Sequence, residues 1–314
     1  MPSFCTITLD IGGTKIAYGL IPDAQPTTVL SAGRIPSQPA NSTAQQQVRV
    51  ALREAAAAAH AAGLVPTRVG LAAPGVVDTA TGIVTYAGAT MPGWQGTNLF
   101  DLVSEEAGLP SIATNDVRAF GLGEYTYGGH TDYSRVLFIS LGTGLGGAVI
   151  DDHTLISSPR ATAGEFSELV VSDAFGYAQR AEFVASGTGL TIYYNDIEEG
   201  HVPAIGEVAW RELTANDIRL EDIAEDDAHF ATIAKGNLTG LGRALGAIVT
   251  AFDVDAIIIG GGLVGLGERV LAPIRAGLSS SALEPNKSTP VIRARLGDNS
   301  PLIGAGVLAT THLS

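Results

Sequence analysis

Two stretches of this chain share one plan: an apolar strand, a turn of glycine and threonine, then a second apolar strand. Residues 6–10 alternate as a strand, Gly12, Gly13 and Thr14 interrupt them, and residues 15–21 resume the apolar pattern. Residues 136–140 are followed by Leu141-Gly-Thr-Gly-Leu-Gly-Gly147 and by a partner strand from Ala148. Each turn obliges its two strands to lie side by side, so sheet is built twice. Helical patterns separate these units, at 43–62, 98–107, 117–127, 230–252 and 301–311, with further buried strands at 69–73, 111–113 and 256–259. Strands and helices in alternation make the class α/β, and the internal echo predicts two halves of like design.

A chain of 314 residues with 46% hydrophobic and 16% charged residues has the length and composition for two folded domains. Its net charge of −14 argues against nucleic acid and against an anionic membrane surface as partners. The sequence has no secretory leader and no long apolar span, so a cytoplasmic location is expected. Cys5 is the single cysteine, which leaves no intrachain disulfide and no multi-cysteine zinc site. The six histidines stand in no metal-like spacing.

Glycine clusters at four places beside apolar strands: Gly12-Gly13, residues 142–147, Gly187 to Gly189, and Gly260 to Gly262. Without a Cβ, a backbone can bring N–H groups up to phosphate oxygens. Neither familiar phosphate motif is present. An apolar strand follows Gly142-Thr-Gly-Leu-Gly-Gly147 where a dinucleotide site needs a helix, and no P-loop pattern occurs. What remains is a hairpin-type phosphate site built on Gly12, Gly13, Gly142, Gly144, Gly187, Gly261 and Gly262, with hydroxyls from Thr14 and Thr143. Lys15 stands where it can reach a phosphate, and Asp10 where it can hold Mg²⁺, directly or through water. By itself, the pair Asn115-Asp116 before residues 117–127 reads as a helix cap.

Several segments appear in the order seen in the ROK family of sugar kinases and repressors. They are Asp10-Ile-Gly-Gly-Thr-Lys15, Ala73-Pro-Gly-Val-Val-Asp78, Pro92-Gly-Trp94, Thr114-Asn-Asp116, the 141–147 run, Ala163-Gly-Glu165, Glu182 ahead of Ala185-Ser-Gly187, Ile259-Gly-Gly-Gly262 and Gly304-Ala-Gly306. The sequence resembles that family from residue 6 to about 310. The resemblance implies an actin/hexokinase-like (ribonuclease H-like) fold of two domains with a central cleft. These would be 1–118, joined by the C-terminal helix of about 301–314, and 119–300. It implies an ATP-dependent kinase acting on the 6-hydroxyl of a hexose, with Mg²⁺ accompanying ATP, and a homodimer. Asp116 matches the family's catalytic base; Gly75, Thr90, Asn115, Glu165, Glu168 and Glu182 fall at sugar-binding positions.

The sequence departs from the common pattern in three places. Most relatives continue Gly-Glu-x-Gly-His and then carry three closely spaced cysteines that bind a structural zinc. Here the run is Gly164-Glu-Phe-Ser-Glu168 and no cysteine follows, so a zinc-free variant is expected. Thr90 stands where many relatives have a sugar-contacting Asn. Glucose and N-acetylmannosamine both remain as substrates, with a β-glucoside kinase or a catalytically weak sugar-sensing protein as alternatives. A repressor would need a DNA-binding domain ahead of the phosphate turn, and that turn begins at Asp10.

Overall fold

The structure, a computed structural model, describes residues 3–88, 91–198, 213–214 and 217–313. Thr90 lies outside the described residues. The chain divides into two compact units: Met1–Asp132, Thr154–Ala163 and Arg295–Ser314 form the first, and Tyr133–His153 with Gly164–Ala294 the second. The first unit therefore keeps the whole of the helix that begins at Asp116.

Unit 1 opens with β1 (Ser3–Ile11), β2 (Lys15–Pro22), β3 (Leu30–Pro36), α1 (Ala44–Ala61), β4 (Leu64–Ala73), β5 (Val76–Val77), β6 (Val84–Tyr86), α2 (Leu99–Ala107), β7 (Ser111–Asn115) and α3 (Asp116–Tyr127). Unit 2 holds β8 (Val136–Leu141), β9 (Leu145–Asp151), β10 (Val170–Ser172), β11 (Ala178–Arg180), α4 (Ala181–Ala185), α5 (Gly187–Glu198), α6 (Ala228–Ile233), α7 (Thr239–Phe252), β12 (Ala256–Gly260), α8 (Glu268–Ser281) and β13 (Val291–Arg293). The chain then returns to unit 1 as α9 (Ser300–His312).

The sheet of unit 1 runs β3-β2-β1-β4-β7, with β1 antiparallel to β2 and parallel to β4, and β4 parallel to β7. Alternation along β1 sends Ile7, Leu9 and Ile11 into one core with Val48, Leu52 and Ala55 of α1. α1 starts where it does because Thr43 and Gln46 form a reciprocal capping box, and it buries residues at three- and four-residue spacing. The opposite face is thin and belongs to α9. A Cβ on Gly70 of β4 would lie 2.1 Å from the Ala305 carbonyl oxygen, and one on Gly304 only 1.7 Å from that of Ala119 in α3. The Gly304-Ala-Gly306 run thus lets a helix lie against backbone.

Unit 2's main strands run β9-β8-β12-β13, with β8 antiparallel to β9 and parallel to β12. α7 and α8 pack closely through glycines: added Cβ atoms on Gly242 and Gly277 would each sit 2.2 Å from a carbonyl oxygen of the other helix. The sequence pattern predicts one helix over 230–252. The structure breaks it into α6, a π-helical turn at Ala234–Leu238, and α7. Among the described residues no helix is long and apolar enough to cross a membrane.

Candidate active site

Register decides which residues meet in unit 1. Asp10 of β1 pairs with Ala72 of β4, which pairs with Thr114 of β7. These three parallel strands end together, so Asp10, the Pro74-Gly75 turn and Asn115-Asp116 gather at one edge of the sheet, outside the carboxyl ends of its strands. Ligands of open α/β sheets bind at such an edge.

Each group is held in place by its neighbours. Asn115 caps α3: its Oδ1 accepts the N–H groups of Val117 and Arg118 at 2.9 and 3.2 Å. Its Nδ2 donates to the Gly75 carbonyl at 3.0 Å. The neighbouring Pro74 carbonyl accepts the indole N–H of buried Trp94 at 3.1 Å. Gly75 has φ +90°, and a Cβ there would meet the Tyr86 carbonyl at 2.4 Å, so only glycine fits. Asp116 opens α3, its Oδ1 accepting the Val117 N–H at 3.0 Å. Asp10 is partly buried, and burial pushes its carboxyl up to about 6 against the opposing pull of Lys15 and Arg34.

The two glycine turns are built alike. In the first, the Gly12 N–H donates to the Lys15 carbonyl at 2.8 Å. The Gly13 carbonyl takes the Gln38 amide at 2.6 Å, and the Thr14 carbonyl takes the Ser37 N–H at 3.1 Å. In the second, the Gly142 N–H donates to Gly144, while the carbonyls of Gly142 and Thr143 accept the N–H groups of Gly187 and Thr188 at 2.8 and 3.3 Å. In both, the carbonyls are tied back. Among the described hydrogen bonds, the N–H groups of Gly13 and Thr14, and of Thr143 and Gly144, donate to no acceptor in the chain. Such a backbone offers donors to an anion. Thr14, Lys15 and Thr143 are exposed.

Gly187 and Gly189 are not a strand-end turn, as the sequence reading has it; they form the first turn of α5. Gly187 is glycine because a Cβ would meet the Gly142 carbonyl at 2.8 Å. Its N–H braces the second turn. Gly261, with φ +86°, packs on Leu141, where a Cβ would lie 2.4 Å from the carbonyl oxygen, and Gly262 follows it with open space at its Cβ position. Both stand at the end of β12, beside the end of β8.

The three glutamates of unit 2 have different surroundings. Glu182 accepts the Leu145 N–H at 3.2 Å, so its carboxylate lies against the second glycine turn. Glu165 is partly buried and precedes a 3₁₀ turn, Phe166–Glu168. Glu168 is exposed and forms an ion pair with Arg180. Sequence reasoning passes over Arg180, as well as Arg118, which is buried and donates from Nε to the Ala163 carbonyl at 3.0 Å. Neither belongs to a recognisable motif. Among the described residues, no three His, Cys, Asp or Glu side chains come together to hold a metal ion.

The model of the ROK family matches residues 6–312. A glucokinase of Streptomyces coelicolor is 32% identical over 317 residues, covering 97% of each chain. An N-acetylmannosamine kinase of Escherichia fergusonii is 27% identical, covering 97% of this chain and 98% of the other. The crystal structure of a ROK family glucokinase from Streptomyces griseus, in complex with glucose and AMPPNP, superposes with a TM-score of 0.78 at 30% identity, covering 98% and 99% of the two chains. The chain belongs to the ROK family, and its fold is the actin-like, hexokinase-type α/β fold of that family.

Proposed function

We propose that this protein is an ATP-dependent kinase that phosphorylates the 6-hydroxyl of a hexose, with glucose and N-acetylmannosamine as its leading substrates. The observation that carries the reading is the sheet edge of unit 1. There a carboxylate at the start of a helix, Asp116, shares the strand ends with a turn whose backbone N–H groups are presented and whose neighbour is Asp10. A sugar hydroxyl is a poor nucleophile, and phosphoryl transfer needs positioning and charge stabilisation more than covalent help. Asp116 takes the hydroxyl proton as the sugar oxygen bonds to the γ-phosphorus and the bridging P–O bond to ADP breaks. Asn115 spends its Oδ1 on the helix cap and one amide hydrogen on Gly75. Its second amide hydrogen is left for a sugar oxygen, and its larger contribution is to hold Asp116 and Gly75 in register. Gly75, Glu165, Glu168 and Glu182 complete the sugar-binding set in this reading, and Thr90 belongs to it on sequence alone.

The turns carrying Gly12, Gly13, Thr14 and Lys15, and Gly142, Thr143 and Gly144, bind the nucleotide phosphates, with Gly187, Gly261 and Gly262 shaping the second. Mg²⁺ fits one carboxylate beside phosphate oxygens, and Asp10 meets that need, being mostly ionised at pH 7. When bound, the ion neutralises charge on the phosphates. No zinc is assigned, and a cytoplasmic homodimer remains the expectation from the family. The test is ADP release by the purified protein with glucose, N-acetylmannosamine, N-acetylglucosamine, mannose, fructose and a β-glucoside, followed by NMR of the product. Phosphorus coupled to the C6 protons is expected. Coupling to the anomeric proton, or no turnover with any sugar, would overturn the assignment.

A further inference from the structure

The segment after Glu168, where the family pattern places zinc-binding cysteines, contains neither cysteine nor histidine over residues 169–180, and its one carboxylate, Asp173, cannot by itself make a four-ligand zinc site. It is nevertheless a defined hairpin, β10 paired antiparallel with β11 through Val170 to Arg180 and Ser172 to Ala178. Two strands of three residues do not hold themselves together in water. Something must fasten them.

Buried hydrogen bonds do so. Asp173, 4% exposed, stands at the end of β10. Its Oδ1 accepts the N–H groups of Phe175 and Tyr177 at 2.9 and 2.8 Å, and its Oδ2 accepts the Tyr193 hydroxyl of α5 at 2.8 Å. Burial and the Asp173 hydrogen bond hold the Tyr193 phenol far above its ordinary range, so it remains a donor. Asn237, fully buried in the π-helical turn, accepts the Ala174 N–H at 2.7 Å and donates to the Val184 carbonyl of α4 at 2.9 Å. Gly236 and Gly240 bring that turn and α7 onto the hairpin, where Cβ atoms would meet Ala174 Cα at 2.4 Å and the Ser172 carbonyl at 1.9 Å. π-Helical turns are often placed at functional sites.

The hairpin's base lies between two glutamates assigned to sugar recognition. The Ala181 N–H donates to the Leu169 carbonyl at 2.7 Å, closing the base, and Arg180 pairs with Glu168. Glu182 is the next residue but one after Arg180. We propose that Asp173, with Tyr193 and Asn237, is a metal-free clasp that takes the place of the zinc site of relatives. All three are positioning residues that hold Glu168 and Glu182 for the sugar. The positioning role rests on the kinase reading above; the clasp itself does not.

The test uses Asp173→Ala, Asp173→Asn and Tyr193→Phe in the full chain. Asp173→Ala is expected to raise the sugar KM at least 10-fold while the ATP KM stays within 2-fold. Asp173→Asn keeps the acceptor for both backbone N–H groups and should return the sugar KM to within 3-fold of wild type. Tyr193→Phe should fall between them, and decides the matter if Asp173→Ala does not fold. Hydrogen exchange is read in parallel, with no need of turnover. The Phe175 and Tyr177 amides should be protected in wild-type protein, in chelator as in buffer, and should exchange at least 10-fold faster in Asp173→Ala. Unprotected amides in the wild type, or protection lost on chelation, would refute the clasp. Protected amides with an unchanged sugar KM in folded Asp173→Ala would refute the positioning role. An inactive wild type with protected amides would instead refute the kinase reading and leave the clasp standing.

Discussion

Asp116 owes its setting to the residue before it. One amide side chain, Asn115, caps the helix and grips the Gly75 turn, so the helix that begins with Asp116, the proposed catalytic base, is set in place largely by its neighbour. Asp116→Asn keeps the shape and loses the proton acceptor. Turnover should fall by about 10²–10⁴ with sugar KM little changed; near wild-type kcat would remove Asp116 from its role. Asp10 makes a different prediction. Its folded pKa of about 6 lies above the ordinary 3.8 because burial disfavours the charge. The folded state therefore binds this proton more tightly than the unfolded chain does. Stability from this residue falls as pH rises from about 4 through about 6, then levels off. Asp10→Asn, without ligand, should melt above wild type at pH 7.5, with the difference shrinking towards pH 4.5, while its KM for Mg-ATP rises. A melting difference that is the same at both pH values would show that ionisation of Asp10 is not the cause.

At the scale of elements, glycines that look alike in sequence do different things. Gly304 has the Ala119 carbonyl against it; Gly142 has open space at its Cβ position. Gly304→Ala should destabilise the protein by about 2 kcal/mol or more in urea, since helix backbones must part to admit a methyl group. A loss under about 0.5 kcal/mol, the range of an ordinary surface change, would mean that α3 and α9 can shift freely. Gly142→Val should leave stability nearly unchanged and raise the ATP KM about 10-fold or more, with the sugar KM within 2-fold. Equal effects on both substrates would argue that this turn does not serve the nucleotide. Helix α1 is legible in sequence to within a residue, because Thr43 and Gln46 mark its start locally. The π-helical turn is not, since its cause lies in the Asn237 and Gly236 contacts with a distant hairpin. Gly187 is misread as a turn for the same reason: what excludes a side chain there is the Gly142 carbonyl, 45 positions earlier.

For the whole molecule, one cysteine, buried in β1 with its thiol pushed up to about 11 by that burial, joins no cluster of potential metal ligands among the described residues. Dialysis against chelator should leave the protein folded, and Mg²⁺ alone should restore full activity. About one zinc per chain by elemental analysis afterwards would contradict this. The chain's return to unit 1 through α9 is also a whole-molecule property: Glu124 of α3, fully buried, accepts the N–H groups of Arg295 and Leu296 and the Ser300 hydroxyl, fastening the start of that helix. The buried His130 beside it and these donors together lower its carboxyl against the opposing effect of burial.

The sequence by itself determined the α/β class, both strand–turn–strand units, the family, and Asp10 and Asp116 as candidate site residues. Strand alternation, helix caps and glycine turns are written in neighbouring residues, so local reading reaches them. Tertiary structure alone decided that Asn115 is a bracket, that Glu168 answers to Arg180, and that Asp173 finds Tyr193 and its turn finds Asn237. Those partners stand 12 to 63 positions away in the chain. No periodicity reports such distances; for the buried groups Asp173, Tyr193 and Asn237, close packing denies any solvent partner and so selects which donor and acceptor meet.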